Sequence, residues 1–157
     1  MDREKLIIRR ASRDDAPTVI RFLRALADYE HLPGPDEEGQ LRLLEHGWPV
    51  DNSVPKFRAW LAENEERACL GCAITTENYS TFLSKPTLYL EDLIVLPEAR
   101  RQGVGSALLK YLMKLAKKEG YGRMEWVVLD WNNPALDFYF HMGASYLPEW
   151  RCYRITL

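Results

Sequence analysis

Between Leu88 and Leu109 the chain passes from an apolar run carrying two carboxylates, through a proline link and two closely spaced glycines, into a long amphipathic segment. Few folds accommodate that order. From Val104 on, residues Val104, Ala107, Leu108, Tyr111, Leu112, Leu115 and Ala116 recur at the three-and-four spacing of one helix face, with Lys110, Lys114, Lys117 and Lys118 on the other. Gly120 and the crowded lysines mark the helix C-terminus, where a glycine stop and positive charge are both favoured, so the start falls near Gly103. The preceding run, Leu88-Tyr-Leu-Glu91-Asp92-Leu-Ile-Val95, reads as a strand carrying two carboxylates. A helix start leaves its first N–H groups unpaired at the positive end of the dipole, which suits a phosphate. Glycines at 103 and 105 let an anion approach the backbone closely. A P-loop would need Gly-Lys-Ser/Thr, and a dinucleotide fingerprint would need a third glycine where Leu108 stands. Both are excluded on spacing.

The remaining elements follow from periodicity. Leu6–Arg10 is a short strand. Ser12 then introduces a helix carrying Ala16, Val19, Ile20, Leu23, Leu26 and Ala27, with Ser12 and Asp15 spaced as a capping box and Pro17 in the first turn. A turn-rich acidic stretch from His31 to Pro55 holds a short helix at Glu37–Glu45. Lys56–Ala62 and Ala68–Thr75 pair as a hairpin, and Leu88–Val95 and Met124–Leu129 are the fourth and fifth strands. Ala135–Met142 is a helix ended by Gly143, and Arg151–Leu157 is a last strand. Hairpins early and helical crossovers late predict an α/β three-layer α-β-α sandwich on a mixed, mostly antiparallel sheet. A chain of 157 residues suits a single domain spanning 1–157.

Charge and composition narrow the function classes. A net charge of −2 argues against affinity for a nucleic-acid backbone, which needs a basic face. No run reaches the roughly 20 apolar residues of a membrane helix, and the N-terminus lacks the apolar core of a signal peptide. A cytoplasmic protein with neither nucleic-acid nor membrane partner is expected. Cys69 and Cys72 lie three apart in a strand and face opposite sides, and His31, His46 and His141 are scattered, so no metal site is expected.

Arg100-x-x-Gly103-x-Gly105 after a strand resembles the acetyl-CoA signature of the GNAT N-acetyltransferases. Leu90-Glu91-Asp92, Trp131-Asn132-x-Pro134, Phe138-Tyr139 and Gly143-Ala144 extend the likeness to the diamine (spermidine/spermine) acetyltransferase branch. The resemblance implies the GNAT fold, with the sheet splayed between strands 4 and 5, and commonly a homodimer. It implies acetyl-CoA as cosubstrate. Pantetheine would lie along Leu93, Ile94 and Val95. The pyrophosphate would rest on amides from Arg101 through Gln102, Gly103, Val104 and Gly105 to Ser106, with charge from Arg100 or Arg101. Asn132, in the motif with Pro134, and Tyr139 would also face the cofactor.

The chemistry expected is transfer of acetyl to a primary amine by direct attack in a ternary complex. An amine of pKa about 10.4 is neutral in only about one part in two to three thousand at pH 7, a deficit of roughly 4.6 kcal/mol. A base in the site removes that obstacle. Glu91 is the candidate base, with Asp92 on the other face of the strand unless a bulge changes the phase. Tyr139 is the candidate acid for the departing thiolate. The resemblance implies Tyr29 and Glu30, Glu91 and Asp92, and Glu149 and Trp150 as acceptor contacts, and such acids and aromatics suit a cation. The family's diamine enzymes carry an acid where this chain has Ser80, with an aromatic, here Phe82, two residues on. That departure favours a short diamine or lysine-like amino acid alongside a polyamine. Two other readings remain: a non-catalytic acyl-CoA-binding module, and a transferase acting on protein N-termini.

Overall fold

The computed structural model describes residues 5–157. Its compact parts are two, one reaching to Trp126 and one comprising Val127–Leu157.

In the first, five strands lie in sequence order: β1 (Ile7–Arg10), β2 (Arg58–Glu63), β3 (Cys69–Ser80), β4 (Lys85–Val95) and β5 (Arg123–Glu125). The first four pair antiparallel and β4 pairs β5 in parallel, giving the mixed sheet expected. Helices α1 (Ala16–Tyr29) and α3 (Val104–Lys118) cover opposite faces, and α2 (Glu37–Gly47) follows α1. On one face, Val19 and Phe22 of α1 pack with Ala59, Leu61, Cys72, Ile74 and Ile94. On the other, Trp60 lies 5.6 Å from the Tyr111 ring of α3 and donates its indole N–H to Thr75 Oγ1 at 3.0 Å. Gly71 belongs to that second face. A Cβ there would stand 2.9 Å from Val104 Cγ1 and 3.1 Å from Leu108 Cδ1, so glycine is what lets α3 seat against β3.

The start of α1 is fixed by charge. A turn of 3-10 helix at Arg13–Asp15 precedes it, and Asp15 accepts from the Ser12 N–H at 2.7 Å and Ser12 Oγ at 3.0 Å. Asp15 also takes both terminal nitrogens of Arg9, at 2.7 and 2.9 Å, and Arg9 reaches on to Glu63 at 2.6 Å. Glu63 is buried and takes a second cation, Arg67, at 3.2 Å.

The second part contains α4 (Asn133–His141), started by Asn132, whose side chain accepts the Ala135 N–H at 3.4 Å. Two expected strands differ. The fifth, expected over Met124–Leu129, is only Arg123–Glu125, and Arg151–Leu157 forms no strand. Alternating apolar residues gave the right pattern for that last segment, but pattern alone supplies no neighbouring edge to pair with.

Candidate active site

The fourth strand is where the site begins, and its register contains one irregularity. Thr75 faces Leu90 and Ile74 faces Asp92, so Glu91 is an extra residue: Glu91 and Asp92 together oppose Ile74. The bulge changes which side of the sheet the carboxylates occupy. Leu88 and Leu90 share the α3 face with Thr75. One residue later the phase has switched, and Leu93, opposite Ala73, and Val95, opposite Gly71, hold that face instead. Asp92 therefore falls with Ile74 and Ile94 on the α1 face, whereas strict alternation would have set it with Leu90.

The α1 face brings Asp92 under the end of α1. Glu30 caps that helix, and its charge, with that of Glu91, bears on Asp92. Burial is the larger cause: it disfavours the Asp92 carboxylate, the two neighbouring acids add to the effect, and the carboxyl is pushed up to about 7. Glu91, by contrast, is exposed. Tyr29, the last residue of α1, carries the Arg100 guanidinium 5.4 Å from its ring centre. Arg100 Nε also donates to the Val95 carbonyl at 3.2 Å. One arginine thus ties the end of α1, the end of β4 and the loop that follows. Tyr29, Glu30, Glu91, Asp92 and Arg100, named separately from the sequence, are brought together.

Beyond Arg100 the backbone turns through two left-handed positions, Arg101 at φ 60° and Gly103 at φ 85°. For glycine that conformation carries no steric cost, but for arginine it costs on the order of 1 kcal/mol. Left-handed turns of this kind point successive N–H groups into one concavity. Hydrogen bonding of α3 begins with the Ala107 N–H donating to Gly103 O at 2.9 Å, so the amides of Val104, Gly105 and Ser106 precede the helical ladder. No Cβ would crowd Gly103, and Arg101, Gln102 and Gly103 are exposed. Along β4 the parallel pairing with β5 stops at Tyr89 opposite Glu125, while β4 continues to Val95. Leu93, Ile94 and Val95 thus lie on the stretch past the end of β5, where an extended ligand can hydrogen-bond as an added edge.

In the second part, Asn132 and Pro134 open α4, and Tyr139 lies midway along it, its ring 5.1 Å from that of Phe138. Glu149 and Trp150 are exposed residues after the helix. No metal-holding group of His, Cys, Asp and Glu occurs among the described residues. Cys72 is buried, which pushes its thiol up and away from reactivity.

Sequence reasoning allowed for a bulge without placing it, and missed the anchoring of Arg100. A signal for the first was present: leucines at 88 and 90 followed by apolar residues at 93 and 95 is a phase slip of one residue. Nothing in the sequence marked Arg100 as a brace to Tyr29.

Residues 19–144 match the model of the acetyltransferase (GNAT) family. A thialysine N-epsilon-acetyltransferase of Bos taurus is 32% identical over 161 residues, covering 95% of this chain and 91% of that protein. The L-ornithine N5-acetyltransferase of Arabidopsis thaliana is 44% identical over 86 residues, covering 55% of this chain and 38% of that protein. In fold, a possible acetyltransferase from Clostridium difficile 630 superposes with a TM-score of 0.82 at 21% identity, covering 98% of this chain and 99% of that one.

Proposed function

This chain belongs to the GNAT acetyltransferase family, and we propose that the amine it acetylates is a small diamine or diamino acid, held as a cation by the carboxylates around the β4 bulge. The observation that carries this reading is the bulge itself, which sets Glu91 and Asp92 beside Glu30 and one turn of chain from the left-handed loop at 101–103. Three carboxylates and the Tyr29 ring suit an ammonium by ion pairing and cation–π attraction. Ser80 supports a short acceptor. It is buried at the end of β3, and its Oγ accepts the Leu83 N–H at 3.2 Å, closing the hairpin turn instead of offering a further charge. Relatives named for thialysine and ornithine point to acceptors of that size.

Acetyl-CoA, when bound, supplies an activated thioester that an amine attacks directly. The amides of Arg101–Ser106, with the Arg101 side chain, would hold its diphosphate, and the backbone of Leu93–Val95 its pantetheine arm. Asn132, Pro134 and Tyr139 complete the cofactor contacts in this reading, and Glu149 and Trp150 those of the acceptor. Glu91 meets the ammonium and takes its proton, and Tyr139 gives one to the leaving sulfur. Residues 1–157 act as a single transferase domain, cytoplasmic and homodimeric, with neither nucleic acid nor membrane as partner. That Arg151–Leu157 forms no strand within one chain is compatible with its pairing on a second copy.

The test is release of coenzyme A thiol with L-ornithine, thialysine, spermidine and a peptide with a free N-terminus. Ornithine or thialysine should give the highest kcat/KM, and Glu91→Gln and Tyr139→Phe should each lower kcat about 100-fold. Turnover of the peptide alone, unaffected by Glu30→Gln, would assign the chain to N-terminal acetylation instead.

A further inference from the structure

Glu91 and Asp92 occupy one rung of the sheet but different surroundings. Glu91 is exposed, while Asp92 is largely covered, on the face where Ile74, Ile94 and α1 pack. A base that only meets the ammonium at the water boundary leaves open where the proton goes. Resting on the acetyl-transfer reading, we infer that Asp92 is the side chain on which the acceptor's proton comes to rest. The ammonium meets Glu91, one N–H bond breaks, and after passage through the Glu91 carboxylate an O–H bond forms on the Asp92 carboxyl. The acceptor's proton thus reaches Asp92 by way of Glu91.

Two physical terms favour that destination. A proton arriving at Asp92 removes a negative charge that is half out of water and faces other acids, so the site gains where an exposed carboxylate would not. The titratable groups facing Asp92 are Glu91 on its own strand, Glu30 at the end of α1 and the Cys72 thiol on β3. The two carboxylates raise its hold on a proton. A carboxyl held up to about 7, against an ordinary 3.8, is a stronger proton acceptor by about a thousandfold. That brings it near the working pH, where general-base catalysis is most effective. The balance closes over a turnover: the ammonium's first proton rests on Asp92 and leaves to water, the amine's second replaces the one Tyr139 gives to sulfur, and amide and thiol are released with one net proton.

The experiment has two arms. In the free enzyme, carboxyl 13C shifts of labelled aspartate should show Asp92 titrating near pH 7, moving lower in Glu91→Gln. With ornithine or thialysine, kcat/KM should rise with pH through about 7 in the wild type. Asp92→Asn should lose that limb with kcat down by roughly 100-fold, and Asp92→Glu should restore part of both. Titration in the ordinary carboxylate range, or an unchanged limb in Asp92→Asn, overturns the inference while leaving acetyl transfer intact. Absence of thiol release with every amine overturns the transferase reading itself, and this inference with it.

Discussion

At the scale of single residues, Asp92 shows a conflict between folding and chemistry. Its carboxyl holds a proton more tightly in the folded chain than in the unfolded one, through burial first and then Glu91 and Glu30. Below about pH 4 both states are protonated and the residue is neutral toward stability. As pH rises to 7 the unfolded chain ionises first, so the fold becomes progressively disfavoured, and above 7 the full penalty applies. The difference between 3.8 and about 7 sets an upper bound near 4 kcal/mol, and partial access to water reduces it to about 1–2 kcal/mol. Asp92→Asn should therefore raise Tm by about 2–6 °C at pH 8 and by much less at pH 5. Thermal denaturation at the two pH values checks this. A gain of the same size at both would mean that amide packing, and not relief of a buried charge, is responsible.

Among elements, the join between β1, β2 and the start of α1 depends on Arg9, which grips Asp15 and Glu63 together. Hydrogen bonds from Arg9 are the main cause holding both carboxyls below their usual range. With folded pKa values depressed, their stabilisation is present above about pH 4 and is lost as pH falls further. Arg9→Ala would leave buried Glu63 with the exposed Arg67 as its remaining cation and the weak Cys69 thiol donor, at a cost of about 2–3 kcal/mol near neutral pH. Urea denaturation should show that difference shrinking from pH 6 to pH 3. A constant difference would point to lost packing of the arginine stem. This join was legible in part: Ser12 and Asp15 stood at capping-box spacing, but Glu63, 54 residues from Arg9, belongs to a pairing no local pattern reports. The central helix was legible nearly to the residue because a 3.6-residue period over four turns leaves little freedom of phase. Strand ends were not. β5 leaves β4 at Glu125 although its own apolar run and β4 both continue, and no periodicity reports where two strands part.

For the whole molecule, the family match at 19–144 takes in residues of both compact parts. The glycine loop and the helix start that follows it were readable from residue spacing. The carboxylates were readable as residue types, but their side of the sheet was fixed only by the bulge. In the proposed function, amides opening α3 hold the diphosphate of acetyl-CoA while the outer edge of β4 takes its pantetheine arm. Amide chemical-shift mapping of the full chain during titration with acetyl-CoA tests that claim most directly. The largest changes are predicted at Arg101–Ser106 and Leu93–Val95, weakened in Gly103→Ala, where the left-handed backbone disfavours a side chain. Saturable changes confined to other elements, or none at millimolar acetyl-CoA, would contradict it.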